Sequence, residues 1–127
     1  MVIAQRAHLV AIVEDDVGMR QGLSWLLAAA RFEVVAFASA EEFLQRDRED
    51  EVDCLVVDVW LPGIDGFALC RAIREAGRRV PTLLMSGHDD DATRELFRRA
   101  GVTRWLRKPF AGQTLIDAVY DAIGAGN

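Results

Sequence analysis

The chain has 127 residues, of which 51% are hydrophobic and 28% are charged, and this composition is typical of one folded globular domain. Its formal net charge of -5 argues against direct nucleic acid binding by this domain, because gripping a phosphate backbone requires a cationic face. No apolar run approaches membrane-spanning length, so we expect no membrane contact either.

Short unbroken apolar runs alternate with amphipathic segments along the chain. Runs of this kind, rich in β-branched residues, are typical of strands buried on both faces of a parallel sheet, and they occupy residues 9–13, 54–57 and 82–85. Two more mixed runs, at 33–37 and 103–106, predict strands nearer the edges of the sheet.

Helical signals fill the intervals between these strands. Capping residues indicate where three helices begin, at Ser39, at Asp65 and at Asp89 or Asp90. Apolar residues spaced three or four apart supply one face each for the first and the last helix: Met19, Leu23, Leu26, Leu27 and Ala30, then Leu115, Ile116, Val119 and Ile123.

A strand followed by a helix, five times over, predicts a parallel sheet with helices on both faces and right-handed crossovers. We therefore expect an α/β fold, the flavodoxin-like doubly wound (βα)5 three-layer sandwich, whose five-stranded sheet has the order 2-1-3-4-5. Residues 1–127 are expected to form a single domain with a core at about 8–123. Residues 124–127 are expected to be a tail or the start of a linker.

The N-terminal segment and the cysteines both favour a cytoplasmic protein. The apolar stretch at 9–13 is too short for a signal peptide and leads directly into acidic residues. Cys54 and Cys70 lie in apolar segments without a CxxC pattern or a histidine cluster, which favours two buried, reduced thiols over a metal or redox site.

Polar side chains stand at the carboxyl ends of the central strands. Glu14 and Asp15 follow the first strand, Asp58 the third, Ser86 the fourth and Lys108 the fifth. Because the carboxyl ends of parallel strands meet at one edge of the sheet, these side chains should converge. Clustered carboxylates raise one another's pKa unless a cation neutralises them, and oxygen-only ligands with solvent access suit Mg²⁺.

Lys108 is the chain's one lysine, whereas the other 14 of the 15 basic residues are arginine. By itself this count fits chance as well as it fits a site that requires a compact ammonium ion. Beside a carboxylate, a divalent ion and a hydroxyl, however, a lysine completes a set for phosphoryl transfer. In that chemistry the carboxylate attacks phosphorus, and the product is an acyl phosphate on aspartate.

These motifs resemble those of the response regulator receiver domains of bacterial two-component systems, over nearly the whole chain. The resemblance implies that Asp58, within the segment VDVWLPG at 57–63, accepts the phosphoryl group. It implies that Ser86 is the switch hydroxyl that binds the phosphate and that Lys108 binds the phosphate as well. It also implies a cis peptide bond between Lys108 and Pro109.

The resemblance further implies a binding site for Mg²⁺, for which Mn²⁺ can substitute. Asp15 is then the direct metal ligand, and Glu14 acts partly through water. Asp58 and the backbone carbonyl of Trp60 would complete the site.

Three residues depart from the usual pattern of the family. Leu61 stands where the family usually has methionine, which is a harmless apolar exchange. Trp105 stands at the switch aromatic position, and its bulk is expected to limit the rotation that fills the space vacated by Ser86. Trp60, two residues past Asp58, is expected to screen a phosphoryl group from water.

The resemblance implies that a sensor histidine kinase donates the phosphoryl group, for which acetyl phosphate can substitute. It also implies an output domain that binds DNA, C-terminal to this chain, through which phosphorylation controls transcription. The chain would not be an enzyme beyond self-catalysed phosphotransfer and autodephosphorylation. Homodimerisation is expected on the face made by the fourth helix, fifth strand and fifth helix, with these candidate contacts: Arg94, Arg98, Trp105, Asp117 and Asp121.

The residues leave other functions open. A pseudo-receiver, which has the same fold but binds proteins without being phosphorylated, is favoured by Trp60 and Trp105 and opposed by the intact acidic, hydroxyl and lysine positions. An aspartyl-phosphate phosphatase would place a second acid–base carboxylate where Trp60 stands. A flavodoxin would carry a Ser/Thr/Gly-rich phosphate loop after the first strand, where this chain has carboxylates.

Overall fold

Five strands and five helices alternate in the computed structural model, which describes residues 7–46, 51–88, 90–102 and 104–125. None of the helices in these ranges has both the length and the hydropathy needed to cross a membrane. The elements are β1 (Leu9–Val13), α1 (Val17–Ala29), β2 (Glu33–Phe37), α2 (Ala40–Gln45), β3 (Cys54–Asp58), α3 (Gly66–Glu75), β4 (Thr82–Ser86), α4 (Asp91–Arg99), β5 (Trp105–Arg107) and α5 (Gly112–Ala125).

The strands form one parallel sheet in the order β2-β1-β3-β4-β5. This order confirms the predicted flavodoxin-like topology, with the two mixed strands β2 and β5 at the edges. The register aligns the strands so that Val13 lies opposite both Phe37 and Val57, and Ser86 lies opposite Arg107. The carboxyl ends of β1, β3, β4 and β5 are therefore side by side.

Both faces of the sheet are covered, which explains why the central strands are unbroken apolar runs. In β1, Ala11 and Val13 pack against the layer formed by α2, α3 and α4, whereas Val10 and Ile12 pack against α1 and α5. Burying each large side chain of this kind stabilises the fold by roughly 1.5–3 kcal/mol. The two cores hold the strands rigidly and so fix the residues at their ends.

Strand and helix boundaries differ slightly from the sequence predictions. β3 and β4 each extend one residue further, through Asp58 and Ser86, because pairing of the backbone continues past the last apolar side chain. β5 begins at Trp105, two residues later than predicted, and Thr103 lies outside the described residues. α5 includes Gly124 from the segment that was predicted to be a tail.

Side chains cap four helices at their N-termini. Ser39, Asp65 and Asp90 accept hydrogen bonds from the first turns of α2, α3 and α4, as predicted, whereas Asp89 lies outside the described residues. Asp16 caps α1 in the same way, through a bond of 2.7 Å from Met19 N to Asp16 Oδ2. The four caps satisfy backbone N–H groups that would otherwise lack partners.

The two cysteines are free, and they differ in burial. Cys54 is buried in β3, and burial raises the pKa of its thiol to about 12. Cys70 in α3 is only half-buried, so the prediction of two buried thiols is wrong for this residue, although burial still raises its pKa to about 11. Neither thiol is ionised near neutral pH, which makes both poor nucleophiles.

Gly66 leaves no room for a side chain where the chain turns from β3 into α3. A Cβ atom there would lie 2.9 Å from both the Asp58 carbonyl oxygen and Val59 Cα. We expect Gly66→Ala to lower the free energy of unfolding by about 1–3 kcal/mol, as measured by urea denaturation followed by circular dichroism.

Gly22 in the middle of α1 provides the matched control, because a Cβ atom there would meet nothing within 4 Å. Gly22→Ala should instead raise the free energy of unfolding by about 0.5–1 kcal/mol through helix propensity. Equal effects of the two substitutions would contradict the close approach at Gly66.

Candidate functional site

The ammonium group of Lys108 joins the ends of three strands. Lys108 Nζ lies 2.8 Å from Glu14 Oε1, just beyond β1, and 3.5 Å from Asp58 Oδ2, the last residue of β3. Lys108 itself follows β5 directly. The structure thus brings together the two acids and the lysine that the sequence placed at one edge of the sheet.

Glu14 is a buried carboxylate, with only 1% of its surface exposed. Burial raises its pKa, and the nearby charge of Asp58 adds to this effect, whereas the hydrogen bond from Lys108 opposes it. Asp16 N also donates to Glu14 Oε2 over 3.3 Å. The ammonium ion is therefore the main compensation for keeping this carboxylate out of water.

Burial and the hydrogen bond between the two side chains each change the pKa of Lys108 in the direction opposite to their effect on the pKa of Glu14. Burial alone would lower its pKa, but the hydrogen bond to Glu14 and the charge of Asp58 outweigh burial and raise the pKa above its ordinary value. The lysine therefore stays protonated throughout the physiological pH range. It presents a permanent positive charge beside Asp58.

Three acidic side chains cluster at this edge. Carboxylate oxygens of Glu14, Asp15 and Asp58 lie within 4.8 Å of one another, and Asp15 is exposed to solvent. A hard divalent cation prefers oxygen ligands of this type, and solvent access lets Mg²⁺ keep several of its waters. The donor set therefore fits Mg²⁺.

Arg20 braces the loop that carries the acidic pair, a role that the sequence analysis missed. Its Nη1 donates to the carbonyl oxygens of Glu14 (2.8 Å) and Asp15 (3.3 Å). Arg20 lies in the first turn of α1, so its reach back to the loop depends on how that helix follows β1. No spacing rule in the sequence signals such a contact.

Ser86 is fully buried at the end of β4, and its hydroxyl is already bonded. Ser86 Oγ donates to His88 O and accepts from His88 N, each over 3.0 Å. One residue after β5, Lys108 N donates to Ser86 O over 2.7 Å, and the Lys108–Pro109 peptide bond is cis. A backbone hydrogen bond thus links Ser86 to Lys108, whereas the serine hydroxyl bonds within the loop that follows β4.

Trp60 forms an exposed aromatic wall beside Asp58. Its backbone N–H donates to Asp58 Oδ1 over 3.3 Å, and 44% of its surface is open to solvent. The centre of its ring lies 6.1 Å from those of both Phe67 and His88. Trp60, in the loop that follows Asp58, therefore lies near the loop that follows Ser86.

Trp105, the first residue of β5, is half-buried and packs inward. Its ring stacks on Phe97 of α4, with the ring centres 4.8 Å apart and the planes 19° from parallel. Phe97 in turn contacts Phe67 of α3, at a distance of 5.4 Å between ring centres. Trp105 is thus linked through aromatic contacts to the helix layer next to Asp58.

Comparison with known proteins assigns this chain to a family. The sequence model of the response regulator receiver domain matches residues 10–120, and the chain therefore belongs to that family.

The chain is also similar to individual members of the family. Nodulation protein W of Bradyrhizobium diazoefficiens is 39% identical over 119 residues, which are 94% of this chain and 52% of that protein. Transcriptional regulatory protein TdiR of Thauera aromatica is 32% identical over 117 residues, which are 92% of this chain and 52% of that protein. The chain thus spans about half the length of the curated relatives it matches.

Solved structures agree with the fold. The chemotaxis protein CheY4 of Vibrio cholerae superposes with a TM-score of 0.85 at 27% identity, covering 92% of this chain and 99% of that chain. This chain is thus a response regulator receiver domain, a signalling module of two-component systems.

Removing the ammonium group should expose the cost of burying Glu14. Lys108→Met leaves burial and the charge of Asp58, which both raise the Glu14 pKa, without the hydrogen bond that lowers it. We expect a loss of about 1–3 kcal/mol in the free energy of unfolding at pH 8, measured by urea denaturation in EDTA. A carboxyl group with a raised pKa favours folding in its protonated form, so the loss should shrink as pH falls through that pKa, above 4.5.

A second substitution tests the assignment to Glu14. The double variant Glu14→Gln/Lys108→Met no longer buries a charge at position 14 and should regain most of the stability that Lys108→Met loses at pH 8. If the loss in Lys108→Met were the same at every pH and unchanged in the double variant, packing of the lysine stem rather than its charge would be responsible.

Proposed function

We propose that this receiver takes a phosphoryl group from a sensor histidine kinase onto Asp58 and thereby switches a dimerisation or output surface. The distance of 3.5 Å between Lys108 Nζ and Asp58 Oδ2 carries this proposal, because a cation beside the acceptor stabilises the negative charge of a transferring phosphoryl group. The 9% of the Asp58 surface that is exposed lets a donor reach it, and the rest of its surface is shielded from water.

In the proposed transfer, a carboxylate oxygen of Asp58 attacks the phosphorus of a phosphohistidine. The bond between phosphorus and the histidine nitrogen breaks, and the nitrogen leaves with the electron pair. The product is an acyl phosphate on Asp58 and a free histidine on the kinase. Lys108 would hold an equatorial oxygen of the phosphoryl group, and its raised pKa keeps it charged for this role.

The carboxylate cluster would hold Mg²⁺, or Mn²⁺ in its place, and the bound ion would neutralise charge on the phosphoryl oxygens. Asp15 is the proposed direct ligand, because it is exposed and its charge is not engaged by Lys108. Glu14 is proposed to act through water, since its Oε1 already accepts from Lys108. Asp58 and the backbone carbonyl of Trp60 would complete the set.

Phosphorylation would act on Ser86 and Trp105 together. A phosphoryl oxygen on Asp58 offers the Ser86 hydroxyl a charged acceptor in place of His88 O, and Trp105 would then repack from its stacked position on Phe97. Such a change shifts the population of two states and does not create a new one.

The surface proposed to respond is the face formed by α4, β5 and α5, where this chain would pair with a second copy. Two of the candidate contacts on this face already form hydrogen bonds within their own helices, Arg98 with Glu95 and Asp117 with Gln113. These bonds hold the two side chains in position, so that pairing would require little rearrangement of either. Sedimentation of the phosphorylated and unphosphorylated forms measures the expected dimerisation. The full set of candidates is Arg94, Arg98, Trp105, Asp117 and Asp121.

The regulated output is proposed to be transcription, from the cytoplasm. One relative is a transcriptional regulatory protein, and this chain spans 52% of its length. We propose that this receiver belongs to a longer protein whose other part binds DNA. The net charge of -5 leaves the receiver itself unsuited to that contact.

Phosphorylation from acetyl phosphate tests the proposed acceptor directly. With Mg²⁺ present, we expect intact mass spectrometry to show a gain of one phosphoryl group, and we expect the gain to disappear in Asp58→Asn. It should also fall strongly in EDTA and in Asp15→Asn, because the metal site is lost. A gain that persists in Asp58→Asn would refute Asp58 as the acceptor.

The alternative is a pseudo-receiver that binds its partner without phosphorylation. Two observations favour it: the Ser86 hydroxyl is fully bonded to His88, and Trp105 is already stacked on Phe97. Both contacts would hold the switch in one position. No mass gain from acetyl phosphate, nor from a kinase that phosphorylates a control receiver, would support this alternative.

Trp60 is proposed to prolong the life of the acyl phosphate. Its ring, near that of His88, would cover the phosphoryl group against attack by water. We expect Trp60→Ala to shorten the half-life of the phosphorylated form about threefold or more, which corresponds to a change of roughly 0.7 kcal/mol in the barrier. The loss of the phosphoryl mass with time measures this half-life.

Trp25 supplies the control for this substitution. It is 68% exposed on α1, and within the described part of the chain it forms neither a hydrogen bond nor a ring contact with Asp58, Phe67 or His88. Trp25→Ala should leave the half-life unchanged. An unchanged or longer half-life in Trp60→Ala would rule out the screening role.

A further inference from the structure

A cavity of about 500 Å³ opens at the edge of the sheet opposite the acidic cluster. Its walls come from the end of α3, the connection from α3 to β4, and the connection from α4 to β5. Thr82, at the start of β4, lines it, whereas Ser86 at the other end of that strand belongs to the proposed phosphorylation site. Four residue steps separate the two, or about 13 Å.

Among the residues that the structure describes, four arginines line this cavity, and no acidic residue does. Arg74 comes from α3, Arg78 and Arg79 from the loop before β4, and Arg104 from the residue just before β5. Arg74 Nη2 donates to Ala100 O over 3.2 Å across the cavity. In the ranges that the structure describes, the side chains of the other three arginines have neither a hydrogen bond nor an ion pair.

This arrangement leaves positive charge uncompensated in a chain whose net charge is -5. Arg78 and Arg104 are half-buried, so water screens their charges less than it screens those of exposed side chains. Like charges lining one cavity repel each other, and an anion bound among them would remove the repulsion. The lining therefore selects for a ligand with more than one negative charge.

The distribution of the four arginines over the chain favours a phosphate over a carboxylate. A carboxylate is planar and accepts one bidentate fork, whereas phosphate groups present oxygens in several directions. The four arginines approach from three separate segments of the chain, which suits the second geometry. Two linked phosphates offer more oxygens than one, so a diphosphate can form hydrogen bonds with more of the four arginines than a monophosphate can.

The remainder of the lining is largely apolar. The apolar residues that contribute to it include Ile73, Val80, Pro81, Val102 and Ala122. The volume falls within the range of roughly 300–1,000 Å³ that small-molecule sites occupy. An uncharged organic group could therefore bury against these residues while its phosphates face the arginines.

We propose that this cavity binds a small organic phosphate of the nucleoside diphosphate class. The diphosphate lies among Arg74, Arg78, Arg79 and Arg104, and the organic group rests on the apolar wall. The inference stands apart from phosphorylation of Asp58, since the two sites lie at opposite edges of the sheet and share no residue.

The test is a titration of the unphosphorylated protein with ADP in EDTA, monitored by isothermal titration calorimetry and by the amide chemical shifts in NMR spectra. Saturable binding is expected, with shift changes around the cavity. Arg78→Gln and Arg104→Gln, singly, should each weaken binding about tenfold, as expected for the loss of one charge-assisted contact. Arg71→Gln is the matched control, because Arg71 is exposed on α3 outside the cavity and its replacement should leave ADP affinity unchanged.

Two further arms separate this inference from its rivals. Asp58→Asn should bind ADP as the wild type does, so that a failure of the phosphoacceptor proposal leaves this result intact. Inorganic pyrophosphate should bind at least tenfold more weakly than ADP, because it lacks the organic group.

Four outcomes would overturn the proposal. The first is the absence of saturable ADP binding at millimolar concentration, and the second is equal affinity in the two cavity variants and Arg71→Gln. Equal affinity for ADP and pyrophosphate would reduce the site to one for inorganic anions. Tighter binding of a DNA duplex than of ADP would assign the arginines to a nucleic acid. Unchanged circular dichroism and melting temperatures in the arginine variants ensure that a loss of binding is not a loss of folding.

Discussion

The ion pair between Lys108 and buried Glu14 is the interaction on which the edge of this receiver depends. Glu14 is 1% exposed and follows directly on a strand that is covered on both faces, so the ammonium ion is the main compensation for removing its charge from bulk water. The same ammonium reaches Asp58, and the backbone N–H of Lys108 holds Ser86 O. One residue thereby connects the ends of β1, β3, β4 and β5.

The parallel sheet is what makes this convergence predictable from sequence. Apolar runs at 9–13, 54–57 and 82–85 identify strands buried on both faces, and such strands point their carboxyl ends the same way. The polar residue after each run then has only one edge of the sheet on which to lie. The meeting of Glu14, Asp58 and Lys108 follows from this rule without any knowledge of side-chain contacts, whereas the predicted strand order is that of the known flavodoxin-like doubly wound fold.

What the sequence could not supply depends on packing around each side chain. Nothing in Glu14-Asp15 states that the first acid is buried against Lys108 while the second is open to solvent. The bonds between Ser86 Oγ and His88 form within a loop whose path depends on its neighbours. The brace from Arg20 to the acidic loop depends on how α1 leaves β1, a geometry that residue spacing does not encode.

The arginine cavity shows the same limit for a set of residues that are scattered along the sequence. Positions 78 and 79 fit a solvated turn, and the 24 residues between 79 and 104 carry no periodic signal that relates them. Only the folded sheet brings the loop before β4 next to the loop before β5.

The position of Arg104 also connects the cavity to the proposed switch. Arg104 directly precedes Trp105, whose ring stacks on Phe97, and Arg104 O accepts from Leu84 N in β4. A repacking of Trp105 would therefore displace the backbone that carries one wall of the cavity. If the affinity for an anion differs between the two positions of Trp105, linkage requires that the anion shift the switch by the same free energy. Comparing ligand affinity in the phosphorylated and unphosphorylated forms measures that coupling, and equal affinities would mean that the two edges of the sheet act independently.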